Sequence, residues 1–182
     1  AALLRDKGDL RDAKITQAAD GRLMLNGAIY PAQPSAVRIQ SLAWFSRDGR
    51  QWTPPVAVGD PEFWLWRVTR HKGVAYTGGY NTNPDRNQRT LRLYRSRDGR
   101  GYETLVQDAG IRNSPGENTI RFLPDGRALC LLRRDPYKGP PPIPESAATA
   151  MLGQARPPYT DWTWKDLGVR IGGPNSIQIP GD

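Results

Sequence analysis

The chain has 182 residues, of which 37% are hydrophobic and 24% charged, so it can bury a core and is predicted to fold as one domain. Its net charge of +8 leaves acidic ligands and nucleic acid open as partners. No apolar run approaches the roughly 18 residues of a membrane span, and residues 1–10 show no signal peptide but resemble the interior of a longer chain. Cys130 and His71 are the only cysteine and histidine, which excludes an intrachain disulfide and a zinc site built from these residue types.

Short stretches rich in aromatic and β-branched residues alternate with turn signals about every 10 residues, a pattern typical of an all-β fold. Taken in chain order, four such stretches form each of three successive units, and one more begins a fourth unit. The predicted strands are 13–18, 23–30, 38–45 and 51–58 in the first unit, 65–70, 74–80, 90–96 and 102–106 in the second, 119–123, 128–133, 148–154 and 162–169 in the third, and 175–179 in the fourth.

A repeat distinguishes among the all-β folds. Segments 45–52 and 95–102 are similar and lie 50 residues apart, and the turn glycines Gly21, Gly73 and Gly126 are spaced 52 and 53 residues apart. A repeat of this length with four strands in each unit is typical of a β-propeller. We therefore predict a single propeller domain with blades at about 11–60, 61–115 and 116–170, and the start of a fourth blade at 171–182.

The repeated turn has the pattern Ser-x-Asp-Gly-x-x-aromatic, which resembles the Asp box, or BNR repeat, of the sialidase (neuraminidase) superfamily. Its Ser and Asp side chains are predicted to bond nearby backbone amides, and its aromatic residue to pack under the turn. The motif is structural and occurs in several propeller families. The two copies consist of Ser46, Asp48, Gly49 and Trp52, and of Ser96, Asp98, Gly99 and Tyr102.

A second similarity to sialidases lies in segment 117–133, where a Glu begins the inner strand and an Arg ends the next strand. The resemblance implies that Glu117 would partner a catalytic tyrosine supplied from elsewhere. It also implies that Arg133, together with Arg11 in the first blade, would hold a substrate carboxylate. The propeller topology places all three residues on one rim, whereas a simple ion pair between Glu117 and Arg133 is the structural alternative.

Sialidases also use an acidic acid/base catalyst on the first blade, but segment 26–41 contains neither Asp nor Glu. Asp60, Glu62 and Asp85 lie in predicted rim loops and are candidates for that role, with solvated loop charges as the alternative. We expect neither a metal nor another cofactor at this site.

Aromatic residues near the rim are candidates for stacking on a sugar. Trp64 alternates with Leu65 at the start of the second blade, and Tyr80 occupies the position in that blade equivalent to Arg133. Packing between neighbouring blades is the alternative. The basic stretch 86–100 is interrupted by acidic residues, which favours a solvated outer strand and disfavours nucleic-acid binding.

These observations predict a sialidase-like β-propeller of three four-stranded blades plus the first strand of a fourth, half of the six-bladed ring that the resemblance implies. Either a homodimer or the remainder of a longer chain would close the ring. The predicted function is a sialidase-like glycoside hydrolase, or a fragment of one, acting on an acidic glycan such as a sialoside. A non-catalytic propeller that binds carbohydrate or protein is the alternative, and only the resemblance points to secretion or the periplasm.

Overall fold

The computed structural model describes residues 8–32, 34–177 and 179. It confirms the predicted fold class, because the strands form three antiparallel sheets that follow one another along the chain. No helix of the described residues is long and apolar enough to cross a membrane. The sheets comprise β1 (Gly8–Gln17), β2 (Leu23–Pro31), β3 (Gln40–Ser46) and β4 (Val56–Ala57); β5 (Phe63–Leu65), β6 (Thr69–His71), β7 (Val74–Asn81), β8 (Leu91–Ser96) and β9 (Glu103–Val106); and β10 (Pro115–Phe122), β11 (Ala128–Arg134), β12 (Met151–Ala155) and β13 (Trp162–Asp166).

Several predicted strands differ from the structure. The strand predicted at 51–58 is reduced to Val56–Ala57, and the one predicted at 13–18 extends over Gly8–Gln17. The strand predicted at 65–70 is divided into β5 and β6, and both segments pair with β7. The described residues of the predicted strand 175–179, which are 175–177 and 179, form no strand. A strand needs a partner for its backbone groups, and the described residues place no neighbouring strand beside that segment.

Apolar contacts join each blade to the next, as a propeller requires. Met24 and Phe45 of the first blade share a buried cluster with Leu65 and Tyr94 of the second. A further cluster joins Leu91 and Leu93 of the second blade to Ile120, Cys130 and Leu132 of the third. His71 of the second blade stacks on Phe122 of the third, with 4.2 Å between ring centroids.

The repeated turns close the hairpins between the third and fourth strands of the first two blades. The Ser46 hydroxyl oxygen accepts a bond of 2.9 Å from the Gly49 amide, and Asp48 Oδ1 accepts bonds from the next two amides. Gly49 has φ +71°, a conformation that other residues resist. The same contacts recur in the second blade at Ser96, Asp98 and Gly99.

The inner strand of every blade is interrupted by one extra residue near its beginning. In the first blade Asp12 and Ala13 lie opposite the single residue Gly27, and in the third Gly116 and Glu117 lie opposite Arg133. In the second blade the three residues 66–68 separate β5 from β6. Such bulges bend a strand and redirect its side chains, so the same device reshapes all three inner strands at one end of the ring axis.

Candidate functional site

The beginnings of the inner strands and the ends of the second strands lie at one end of the blades, which we call the rim. The strand register shows this, because Gly8 pairs with Pro31, Phe63 with Asn81, and Pro115 with Arg134. The two Asp-containing turns lie at the other end. The rim therefore carries the candidate residues Arg11, Trp64, Tyr80, Glu117 and Arg133.

Glu117 and Arg133 form an ion pair on the rim, with 2.9 Å between Oε1 and Nη1. Arg133 Nε also donates to Asp135 Oδ1 at 2.8 Å. Burial lowers the pKa of Arg133, but Asp135 and Glu117 raise it by more, so the net shift is upward. The guanidinium is therefore shared between two carboxylates of the protein, of which Asp135 was not among the residues predicted from sequence.

Arg11 lies on the same rim but is not part of that network. Its Nη2 is 2.5 Å from Asp9 Oδ2, and its guanidinium carbon lies 4.9 Å from the centre of the Tyr30 ring. Within the described residues, no hydrogen bond or ion pair connects Arg11 with Glu117 or Arg133. The structure thus brings two of the three predicted charged residues together and gives the third a partner of its own.

The predicted aromatic residues form a buried cluster below the rim. Trp64 stacks on Tyr80 with 6.0 Å between ring centroids, and it contacts Trp66 and Tyr30 at 6.1 and 5.7 Å. Burial, with a further contribution from the Glu117 carboxylate, raises the pKa of the Tyr80 phenol. Trp64 and Tyr80 are therefore buried and pack between blades, which favours the alternative interpretation of these two residues.

The bulge of the first blade contains Asp12, which was not among the site residues predicted from the sequence. Asp12 has φ +53° and an exposed side chain, and its carbonyl oxygen accepts a bond of 2.5 Å from Lys14 Nζ. A side chain on the opposing Gly27 would come within 2.9 Å of the Arg11 carbonyl oxygen, so glycine allows this close approach. The sequence offered only an Asp directly after the candidate Arg11 as a signal for this position.

Lys14 lies below Asp12 and is buried against the aromatic cluster. Its Nζ is 3.4 Å from the centre of the Trp66 ring. Burial lowers the pKa of Lys14 to about 8, with Arg67 adding to that effect and Asp12 and Glu117 opposing it. The carboxylates of both bulges therefore act on the same ammonium group, which places Asp12 and Glu117 in one electrostatic neighbourhood.

The three acidic candidates in the rim loops have other partners. Glu62 accepts bonds from the backbone amide and the guanidinium of Arg38. Asp85 accepts the Asn87 amide at the start of a short 3-10 helix. Asp60 binds the Arg92 guanidinium and the Tyr94 hydroxyl. Each carboxylate stabilises its own loop, so these contacts favour the structural interpretation of all three.

Among the described residues we find neither a metal-binding cluster nor a tyrosine paired with Glu117. No group of three or more His, Cys, Asp or Glu residues there is arranged to hold a metal ion. No described tyrosine hydroxyl hydrogen-bonds to Glu117, so the tyrosine partner that the sialidase resemblance implies is not found among these residues.

No protein-family model and no curated protein matches the chain. Solved structures do match, at sequence identities that show the fold alone. The α-L-arabinofuranosidase Arb93A from Fusarium graminearum is 15% identical with a TM-score of 0.63, and the match covers 89% of this chain and 49% of that one. An N-acetylgalactosamine deacetylase from F. plautii, in complex with blood group B trisaccharide, is 12% identical with a TM-score of 0.64, covering 94% and 57%.

An α-L-arabinanase from Penicillium chrysogenum, complexed with arabinobiose, is 16% identical with a TM-score of 0.59, and the match covers 92% of this chain and 52% of that one. The chain therefore spans about half the length of these similar structures. None of the three is named a sialidase. These similarities show that the chain has part of a β-propeller fold that is also found in glycoside hydrolases.

Proposed function

We propose that this chain is part of a glycoside-hydrolase-like propeller that binds a glycan on the rim, between the bulges of the first and third blades. One observation supports this more than any other. Two inner strands from different blades carry equivalent bulges, and each bulge holds one carboxylate, Asp12 or Glu117, at the same rim. Bulges and left-handed backbone at residues other than glycine cluster at functional sites.

Glycoside hydrolysis requires two carboxyl groups placed on either side of the scissile bond. Glu117 is held in position by Arg133, whereas the exposed Asp12 side chain forms no ion pair among the described residues. The buried, stacked rings of Trp64 and Tyr80 pack between the first two blades and support the rim from below. In this proposal Asp12 takes the role of acid/base catalyst, for which segment 26–41 contains no acidic residue.

A sialoside is one candidate substrate, and the arabinan-type sugars of the similar structures are another. The sialidase resemblance assigns the substrate carboxylate to Arg11 and Arg133, but these arginines already contact Asp9, Glu117 and Asp135. The proposal therefore includes neutral glycans such as arabinobiose. Attack by a tyrosine is not part of it, because the raised pKa of Tyr80 makes its phenol a poor nucleophile.

Glycan binding without hydrolysis is a second candidate function. It is favoured by the length of the chain, which spans about half of each similar structure, so that the opposite wall of the site would come from elsewhere. A second copy of the chain or additional blades would supply that wall.

The test compares hydrolysis of nitrophenyl glycosides with calorimetric binding of arabinobiose, blood group B trisaccharide and sialic acid. Glu117→Gln and Asp12→Asn should each reduce hydrolysis about 100-fold or more, because each removes an acid or base group. Binding should persist in both variants. Glu103→Gln, on an exposed outer strand, is the control and should retain activity.

Binding by the wild-type protein without hydrolysis would favour the second candidate function. Absence of binding to all three glycans would refute the proposal that the rim is a sugar site.

A further inference from the structure

A cavity of about 310 Å³ follows the ring axis between the inner strands of the three blades. We call its lining the axial wall. Its charged members are all basic, and no Asp or Glu among the described residues lines it. These basic residues are Lys14, Arg67, Arg70 and Arg121.

The cations of the axial wall lack the carboxylate partners that the rim arginines have. Arg67 forms no hydrogen bond or ion pair with any described residue, and its Nε is buried without a partner. The Nε of Arg121 is also buried and unpartnered, although its Nη2 donates to the Ser176 carbonyl oxygen. Lys14 donates only to a backbone carbonyl.

Placing these cations together costs free energy unless an anion joins them. Arg67 acts electrostatically against the charged form of Lys14, which is buried, and Arg67 itself is half-buried. A buried N–H group that finds no acceptor loses its hydration without compensation. Guanidinium groups are suited to flat or tetrahedral oxyanions, because their N–H groups form a planar fork.

We infer that the axial wall is an oxyanion site that takes a sulfate, phosphate or carboxylate group between Arg67, Arg121 and Lys14. The hydroxyl groups of Thr16 and Thr119 line the same cavity and offer neutral donors. The oxyanion is either a free ion or the charged group of a glycan held at the rim. The inference does not depend on hydrolysis, since no residue of the carboxylate pair contributes to it.

The experiment titrates sodium sulfate into the full 182-residue chain at constant ionic strength, with sodium chloride as the balancing salt. Sulfate also stabilises proteins non-specifically, but that effect rises with concentration and does not saturate. If sulfate binds at the axial wall, we expect its binding isotherm to saturate. Arg67→Gln and Arg121→Gln should each weaken sulfate binding about tenfold, the loss that follows from removing one hydrogen bond to a charged group.

Two further variants test whether the effect is specific to the cavity. Arg97→Gln, an exposed arginine on the opposite face, has the same change in charge and should bind sulfate as the wild type does. Arg67→Lys keeps the charge and should retain measurable binding, which separates a lost site from a lost fold. Circular dichroism spectra and melting temperatures of all variants check folding directly.

A second arm identifies the source of the anion by titrating galacturonate, with neutral galactose as its counterpart. If galacturonate displaces sulfate and binds more tightly, the oxyanion is the charged group of a glycan. If sulfate binds and galacturonate does not, the site takes a free ion. Both results support the inference.

Two results would overturn it: a sulfate isotherm that does not saturate, or wild-type affinity in folded Arg67→Gln and Arg121→Gln. The Glu117→Gln variant separates this inference from the proposed function. It should lose hydrolysis while binding sulfate at least as tightly as the wild type, because a negative charge near Lys14 has been removed.

Discussion

The rim and the axial wall use the same basic residue types in opposite ways. On the rim, Arg133 contacts Glu117 and Asp135, and Arg11 contacts Asp9. On the axial wall, no carboxylate of the described residues forms a hydrogen bond or ion pair with Lys14, Arg67, Arg70 or Arg121. The difference shows that an arginine's role depends on its partners: paired arginines fix the geometry of carboxylates, whereas unpaired ones remain available for a ligand.

The aromatic cluster lies between these two regions, so its removal should have the largest effect. Trp64 is buried and contacts Trp66, Tyr80 and Tyr30. Trp64→Ala should lower the free energy of unfolding by about 3 kcal/mol or more, because it leaves a large cavity between blades. Urea denaturation measures this loss, and Trp64→Phe, which keeps a ring, should lose less. Equal losses in the two variants would show that ring packing is not what matters at this position.

The next effect concerns the paired region. Arg133→Met removes the shared partner of Glu117 and Asp135 and leaves two mostly buried carboxylates close together. We expect the free energy of unfolding to fall by about 2 kcal/mol, less than for a fully buried pair because both carboxylates keep some contact with water. Arg112→Met, which breaks an exposed pair with Asp108, is the control and should cost less than about 0.5 kcal/mol. Similar urea midpoints for the two variants would contradict the distinction.

A smaller, pH-dependent effect is expected at Lys14. Burial lowers its pKa to about 8, below the ordinary value of 10.5, so between these values the unfolded chain binds more protons than the folded one. The wild type should therefore gain stability relative to Lys14→Met as the pH rises from about 8 towards 10. Asp12, Glu117 and Arg67 are the charged groups that face Lys14, and the variant retains all three. A difference in melting temperature that does not change over this pH range would show that Lys14 titrates normally.

The smallest effect is expected for the unpaired cations. Arg67→Gln should lower the free energy of unfolding by no more than about 0.5 kcal/mol in buffer without sulfate or phosphate, because the substitution leaves no partner unsatisfied. Added sulfate should then stabilise the wild type more than the variant. A large loss of stability in sulfate-free buffer would mean that Arg67 has a structural role, and the contrast with Arg133 would fail.

Much of the fold could be predicted from the sequence because it depends on short segments. The Ser46 and Asp48 side chains bond amides within three residues of themselves, so the turn is specified locally. The repeat of that turn after 50 residues then reveals the period of the blades. The pairing of Glu117 with Arg133 was also weighed from sequence, since the two residues lie in adjacent strands of one hairpin.

The candidate site was less predictable because it depends on one-residue shifts in register. The bulge opposite Gly27 places the carboxylate of Asp12 at the rim. Asp135 was missed because it follows the end of β11 and reaches Arg133 only through the course of the chain there. Neither arrangement leaves a distinctive pattern in the sequence.

By itself, the sequence determined that this chain forms three four-stranded blades with matching turns, because strand alternation and turn hydrogen bonds are set within a few residues. Only the tertiary structure decided which charges are neutralised. The carboxylates of Asp9, Glu117 and Asp135 reach Arg11 and Arg133, and no described carboxylate reaches Arg67 or Arg121. Whether a cation finds a carboxylate depends on distances of a few ångströms, and around Arg67 and Arg121 those distances are fixed only when inner strands of different blades meet around a common axis.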